Sequence, residues 1–240
     1  MPPILLDHIA IALPRIADAP AALVDVLGGA PERTRSAGVF RWASWTFANG
    51  GVIEILEPAG PDGFLHRFLV AHGRGVHHVT FKVPDLALVC RRAETRGYDI
   101  VGRDESDPSW KEAFLHPKQA LGIVVQLVES GSALPRDPPG VIQPGLPPPV
   151  SILGLRLRAH SRERAITQWR EVLQGEMGKT REGSLVFRWS DSPLRLVVDV
   201  DTTAPEGPTA IEIARVRGVA SLDAASARLG IRLMLHQGGD

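Results

Sequence analysis

Two stretches of the chain share one arrangement of apolar and polar positions. "LDHIAIAL", residues 6–13, and "GVHHVTFKV", residues 75–83, each set alternating apolar residues behind a histidine. Period-two alternation predicts β-strands with one buried face. Each is followed by a turn and an amphipathic stretch ending at glycine, "PRIADAPAALVDVLGG" and "PDLALVCRRAETRGYD", which predicts a helix. Further β-type runs close each copy: 38–47 and 50–58 in the first, 112–117 and 122–130 in the second. The predicted order is βαβββ, twice. Superposing the copies pairs His8 with His78, 70 positions apart, and Glu54 with Gln126, 72 apart. Strand alternation then sends His77 to the opposite face from His78, against helices or into solvent.

Residues 130–150 are proline-rich and favour an extended connector. They divide the chain into a domain at 1–130, a linker at 131–150 and a domain at 151–240. The last of these repeats the theme loosely. Residues 151–175 read as strand then helix, and "VFRW" at 186–189 echoes "VFRW" at 39–42, answering Phe40 and Trp42 with Phe187 and Trp189. Residues 209–235 begin a fourth copy that stops before its closing hairpin. The expected fold class is α+β: paired βαβββ modules forming a cup-shaped sheet, followed by a degenerate second pair.

Two modules related by a pseudo-twofold axis bring His8, Glu54, His78 and Gln126 to one point. Glu54 and Gln126 each interrupt an otherwise apolar strand, where an unpaired buried carboxylate is costly. Nitrogen and oxygen donors without a thiolate suit a divalent ion such as Zn, Ni, Co, Mn or Fe. One carboxylate against a divalent ion leaves positive charge that can polarise a substrate oxygen. The second half offers no such set. Gly154 stands at the place of His8 and Ala210 at that of His78, with Asp199 or Asp201 matching Glu54, so this half reads as structural or lid-forming.

Composition narrows the partners. Lys plus Arg equals Asp plus Glu at 27 each, which argues against a nucleic-acid footprint. The single cysteine, Cys90, falls in a predicted helix as a buried, inert thiol and fits a reducing compartment. No signal-peptide pattern and no membrane-length apolar run are present, so the expectation is a soluble, cytoplasmic protein without a membrane partner.

"LDHIAIAL", "GGVIEILEP", "GVHHVTFKVPDL" and "AFLHPKQALGIVVQLVE" follow one another in the order and spacing of the vicinal oxygen chelate superfamily. Over residues 4–129 the chain resembles its glyoxalase-like and methylmalonyl-CoA epimerase members. The resemblance implies the glyoxalase/bleomycin resistance/dioxygenase fold, with a divalent metal ion held by His8, Glu54, His78 and Gln126. It further implies a metal-dependent isomerase or lyase, compatible with a homodimer, moving a proton next to a carbonyl or thioester of a small molecule. Epimerases of this kind generally place glutamate at the position of Gln126, and an amide accepts no proton at neutral pH. Glu54 is therefore the catalytic base this resemblance selects. A second base on the opposite substrate face would come from Asp104, Glu105, Asp107 or Glu112, in a stretch expected to be a solvated acidic loop. His116 and Lys118, near a hairpin turn, are candidates for an anionic substrate, and Trp42, Trp45 and Trp110 for the cup lining. Two other classes share the fold: extradiol dioxygenases, which usually take their carboxylate from the strand holding Gln126, and metal-free binding or resistance proteins, which usually lack the histidines.

Overall fold

A computed structural model describes residues 3–131, 147–214 and 222–236. The first module comprises β1 (Leu5–Ala12), a short α1 (Pro20–Leu23), β2 (Ala30–Ala37), β3 (Phe40–Thr46) and β4 (Val52–Pro58). Helix α2 (Phe64–His72) leads to the second module: β5 (Gly75–Lys82), α3 (Leu86–Glu94), β6 (Ile100–Asp107), β7 (Trp110–Leu115) and β8 (Val124–Ser130). The eight strands form one sheet in the order β2-β3-β4-β1-β5-β8-β7-β6. The order is symmetric about the antiparallel β1–β5 pair, with β4 and β8 each parallel to the first strand of its own module.

Local sequence explains the elements that were predicted. In α3 the Asp85 side chain accepts from the Leu88 N–H at 2.8 Å, capping the helix, and Leu86, Val89, Cys90 and Ala93 turn one face to the core. Cys90 is buried there as expected. Three elements were not foreseen in their observed form. Strands β2 and β6 are polar and largely exposed at the two sheet edges, so they carry no alternation to read. Asp104, Glu105 and Asp107 thus lie on β6, and the expected acidic loop is a β6–β7 hairpin. Helix α2 lays Leu65 on Ala10, Ala12 and Leu56, with Phe68 and Leu69 alongside; the small side chains at 10 and 12 let it approach the sheet.

The second half builds a six-stranded sheet. Its elements are β9 (Ile152–Ala159), α4 (Arg162–Ile166) running on as a π-helical turn (Thr167–Val172), β10 (Glu176–Lys179), β11 (Leu185–Arg188), β12 (Arg195–Val200), β13 (Gly207–Ala214), α5 (Asp223–Leu229) and β14 (Arg232–His236). The order is β10-β11-β12-β9-β13-β14. Strand β14 lies parallel to β13, where β8 lies beside β5, and no hairpin strand continues the sheet beyond it among the described residues. Most of the proline-rich stretch, 132–146, lies outside the described residues.

Backbone register fixes the correspondence between halves. The β1–β5 ladder has one extra residue at Asp7 and one at His77, and the β9–β13 ladder has them at Leu153 and Thr209. His8 faces Thr80 as Gly154 faces Glu212, and Ala10 faces His78 as Arg156 faces Ala210. The places of His8 and His78 are thus Gly154 and Ala210, as read from sequence. The place of Glu54 is Val197, not Asp199 or Asp201, because Val197 pairs with Arg156 as Glu54 pairs with Ala10. The "VFRW" echo is out of register. Phe187 pairs with Leu196 as Trp45 pairs with Ile53, so Trp45 and Phe47, both in the core, correspond to Phe187 and Trp189.

One hydrophobic cluster runs through both halves. It takes Leu6, Ile9, Ile53, Val79, Phe81 and Val125 from the first sheet, each alternating with a cup-facing position. Phe81 packs against Trp169 and Trp189 at ring-centroid distances of 6.1 and 4.8 Å. The second half therefore backs the convex side of the first sheet and is not a lid over the cup. Polar ties cross the same junction, including Ser192 Oγ to the Leu6 carbonyl at 2.6 Å and Asn49 Nδ2 to the Ile152 carbonyl at 2.6 Å.

Candidate metal centre

On the concave face the pairing of β4, β1, β5 and β8 sets four polar side chains into an apolar sheet. His8, Glu54 and His78 present one donor atom each, all within 4.8 Å of one another. His8 Nε2 lies 3.6 Å from Glu54 Oε1. Gln126 joins through Thr80, whose hydroxyl donates to Gln126 Oε1 at 2.7 Å and lies 2.9 Å from His8 Nε2. All four predicted positions thus meet on one face, three as a donor cluster and Gln126 as their hydrogen-bonded neighbour.

The two histidines differ in state. His78 is buried, and its Nε2 has no hydrogen-bond partner. Burial, with the charges of His77 and His8 added, outweighs the opposing pull of the Gln126 side chain and holds its pKa well below the usual imidazole value, so it stands as the neutral base that a metal requires. Burial alone would also lower His8, but the Glu54 carboxylate and the hydrogen bond to Asp7 overcome it and raise the pKa to about 10. A proton on His8 therefore occupies the gap between His8 and Glu54 that a cation would fill.

The residue preceding each histidine is bonded to it. Asp7 Oδ2 lies 2.8 Å from His8 Nδ1, and its other oxygen is held by Lys82 at 2.9 Å. Burial opposes ionisation of Asp7, yet His8 and Lys82 hold its carboxyl well below the usual range. His77 Nδ1 lies 2.9 Å from His78 Nδ1, and its ring packs on Phe64 and Phe68 of α2. This corrects the expectation for His77. The bulge adds a residue to β5, alternation fails locally, and His77 stays on the cup side beneath α2.

Other candidates separate cleanly. Gln126 Nε2 donates to Glu112 Oε2 at 2.8 Å, and the Trp110 indole reaches the same oxygen at 3.3 Å. Asp104 and Asp107 accept from Ser106 and Ser109, and Glu105 pairs with Arg103, all in the exposed hairpin. His116 Nδ1 accepts the Lys118 N–H at 3.2 Å, an exposed turn contact. Trp45 belongs to the core, Trp42 packs beside α2, and Trp110 is 40% exposed. Sequence reasoning passed over Thr80, although its spacing of two from His78 places it on the same face.

A symmetric eight-stranded cup with an N/O donor cluster across its central strands defines the class of paired βαβββ proteins. Residues 7–114 match the model of the glyoxalase/bleomycin resistance protein/dioxygenase superfamily. The chain is 30% identical over 129 residues to the ethylmalonyl-CoA/methylmalonyl-CoA epimerase of Cereibacter sphaeroides, covering 51% of this chain and 95% of that protein. It is 29% identical over 133 residues to the mitochondrial methylmalonyl-CoA epimerase of Bos taurus, covering 52% of this chain and 74% of that one. The chain belongs to this superfamily. Both relatives match only about half of this chain. A solved variant of 4-hydroxymandelate synthase from Streptomyces coelicolor shares the fold over 96% of this chain and 75% of its own, with a TM-score of 0.62 at 16% identity. No helix among the described residues is long and apolar enough to cross a membrane.

Proposed function

We propose that the cup holds one divalent cation through His8, Glu54 and His78, with Gln126 beside them, and moves a proton at the carbon next to the carbonyl of a CoA thioester or similar small substrate. The observation that carries this reading is His78 Nε2, a buried nitrogen that makes no hydrogen bond, set within reach of a second imidazole and a carboxylate. An unsatisfied buried polar atom is costly unless something binds it. The two relatives named as epimerases support the substrate class.

A cation in this site supplies Lewis-acid polarisation of the substrate carbonyl oxygen, which acidifies the neighbouring C–H. Glu54 is the carboxylate of the donor set and takes that proton. Inverting the carbon also requires delivery from the other face. Glu112 serves this role: its carboxylate meets the Gln126 amide on the cup face, with β1, β5 and β8 between its strand β7 and Glu54 on β4. Gln126 cannot exchange a proton, but its amide donates to Glu112 and holds it toward the site.

The test is metal analysis of the purified protein, then solvent deuterium exchange into methylmalonyl-CoA with the metal saturating. The wild type should incorporate deuterium and invert the centre. Glu54→Gln should lose exchange by far more than its metal affinity falls, and Glu112→Gln should keep exchange on the Glu54 side while losing inversion. Exchange by Glu54→Gln at the wild-type rate would remove Glu54 as the base. Iron with oxygen uptake on catechols would move the protein to the dioxygenase class.

A further inference from the structure

We infer that Asp7 and His77 are a matched pair of positioning residues, each carried by a β-bulge to aim one histidine donor, and that His77 ties the site to helix α2. The inference rests on the cup being a cation site. An imidazole has two nitrogens, and the partner of one decides what the other offers. Ordinary alternation would turn residues 7 and 77 to the convex side, away from residues 8 and 78. The extra residue in each ladder keeps both on the cup side, within 2.8 and 2.9 Å of the following Nδ1. His8 Nδ1–H donates to Asp7. A cation at His78 would take the lone pair of the unpartnered buried Nε2, which puts the proton on Nδ1, where it is donated to His77 Nδ1 at 2.9 Å.

The two modules solve the same problem with different chemistry. Asp7 is a carboxylate fastened by Lys82. His77 is an imidazole boxed by Phe64 and Phe68, with ring centroids 5.5 and 4.9 Å away. Phe64 also meets Phe40 at 5.6 Å, and α2 rests on Ala10, Ala12 and Leu56. Contact thus runs from α2 through His77 to the His78 ring.

The first module indicates how to test the second. In His77→Phe the aromatic box stays filled and the acceptor is lost; in His77→Asp the acceptor used beside His8 is supplied. Cobalt(II) is the probe, read by chelator competition and visible absorption on metal-stripped full-length protein, with urea midpoints to verify folding. His77→Phe should bind cobalt about 10–100-fold more weakly with an altered spectrum, and His77→Asp should restore both toward wild type. His77→Gln, which keeps an acceptor at similar size, serves if His77→Asp does not fold. Wild-type affinity and spectrum in His77→Phe, or equal losses in folded His77→Phe and acceptor variants, would overturn the inference and leave the cation site standing. A wild-type protein that takes up no cobalt would overturn the cation reading itself, and this inference with it.

Discussion

Binding a divalent cation should expel one proton, and that proton should come from His8. Its pKa is raised to about 10 from an ordinary 6.5. Burial works against the rise, while the Glu54 charge and then the Asp7 hydrogen bond drive it. His77, lowered by burial to about 4, and His78, lowered well below 6.5, are neutral at pH 7 and have nothing to release. At pH 7, three units below the His8 value, about one site in a thousand is deprotonated, so apparent affinity lies about a thousandfold under its high-pH limit. Log affinity should climb by about one per pH unit from 7 toward 10. Calorimetry at pH 7 in buffers of different ionisation heat should give a release of about one proton per metal. Asp7→Asn, removing one of the two carboxylates that hold the proton, should move the inflection to lower pH. The same shift acts on the metal-free fold. A raised histidine pKa gives stability that is full below about 6.5 and is lost as pH rises through about 10, with a ceiling of about 5 kcal/mol. Release near zero at pH 7 would mean that His8 is already neutral and that Glu54 and Asp7 do not hold the site as described.

Gln126→Glu should bind the metal at least as tightly, since a carboxylate donates no worse than an amide; because the new group would face Glu112 across a 2.8 Å contact, proton release in the same calorimetry should rise above one at mildly acidic pH. Gly154→Ala should lower the urea midpoint, at a cost of about 1–3 kcal/mol, because a Cβ there would lie 1.9 Å from the Arg195 carbonyl oxygen at a φ of +152°. An unchanged midpoint would show that the β9–β12 pairing gives way easily at that point.

Much of the candidate site's geometry is legible in the sequence because repetition makes a sequence check itself. His8 and His78 were paired by superposing two strands, and Glu54 and Gln126 stand out because each breaks an apolar run. What escaped reading follows from rules that hold only on average. Strand alternation placed His77 on the wrong face, since nothing in "GVHHVTF" announces an extra residue in the ladder. The "VFRW" echo failed because a four-residue likeness carries no register, whereas Trp45 with Phe187 and Phe47 with Trp189 correspond through their pairing and share no local spelling. Strands β2 and β6 pair along one edge and expose polar side chains, so composition reads them as loop. Glu112 could be named as a candidate, but only the fold distinguishes it from Asp104, Glu105 and Asp107.

The two halves carry the same backbone with opposite polar logic, and this contrast bears on function. In the second cup the donor positions are Gly154, Val197, Ala210 and Met234, the last opposite Glu212 as Gln126 is opposite Thr80. Its polar groups have moved to neighbouring positions on the same face. Arg156 binds Asp199 at 2.6 Å and Glu212 at 3.3 Å, and Arg195 binds Glu212 at 3.0 Å. Glu212 is 2% exposed, and each of these carboxylates meets a guanidinium. A partly buried charge network of this kind holds the strands in place and already balances its carboxylates with guanidinium charge, so it has little to offer an added cation. The first cup, built on the same pair of bulges, keeps a buried imidazole nitrogen that makes no hydrogen bond. The equivalent scaffold in the same chain keeps no unpartnered buried imidazole nitrogen among the described residues, so the open nitrogen of His78 is not a requirement of the fold; it is the feature on which the proposed cation site rests.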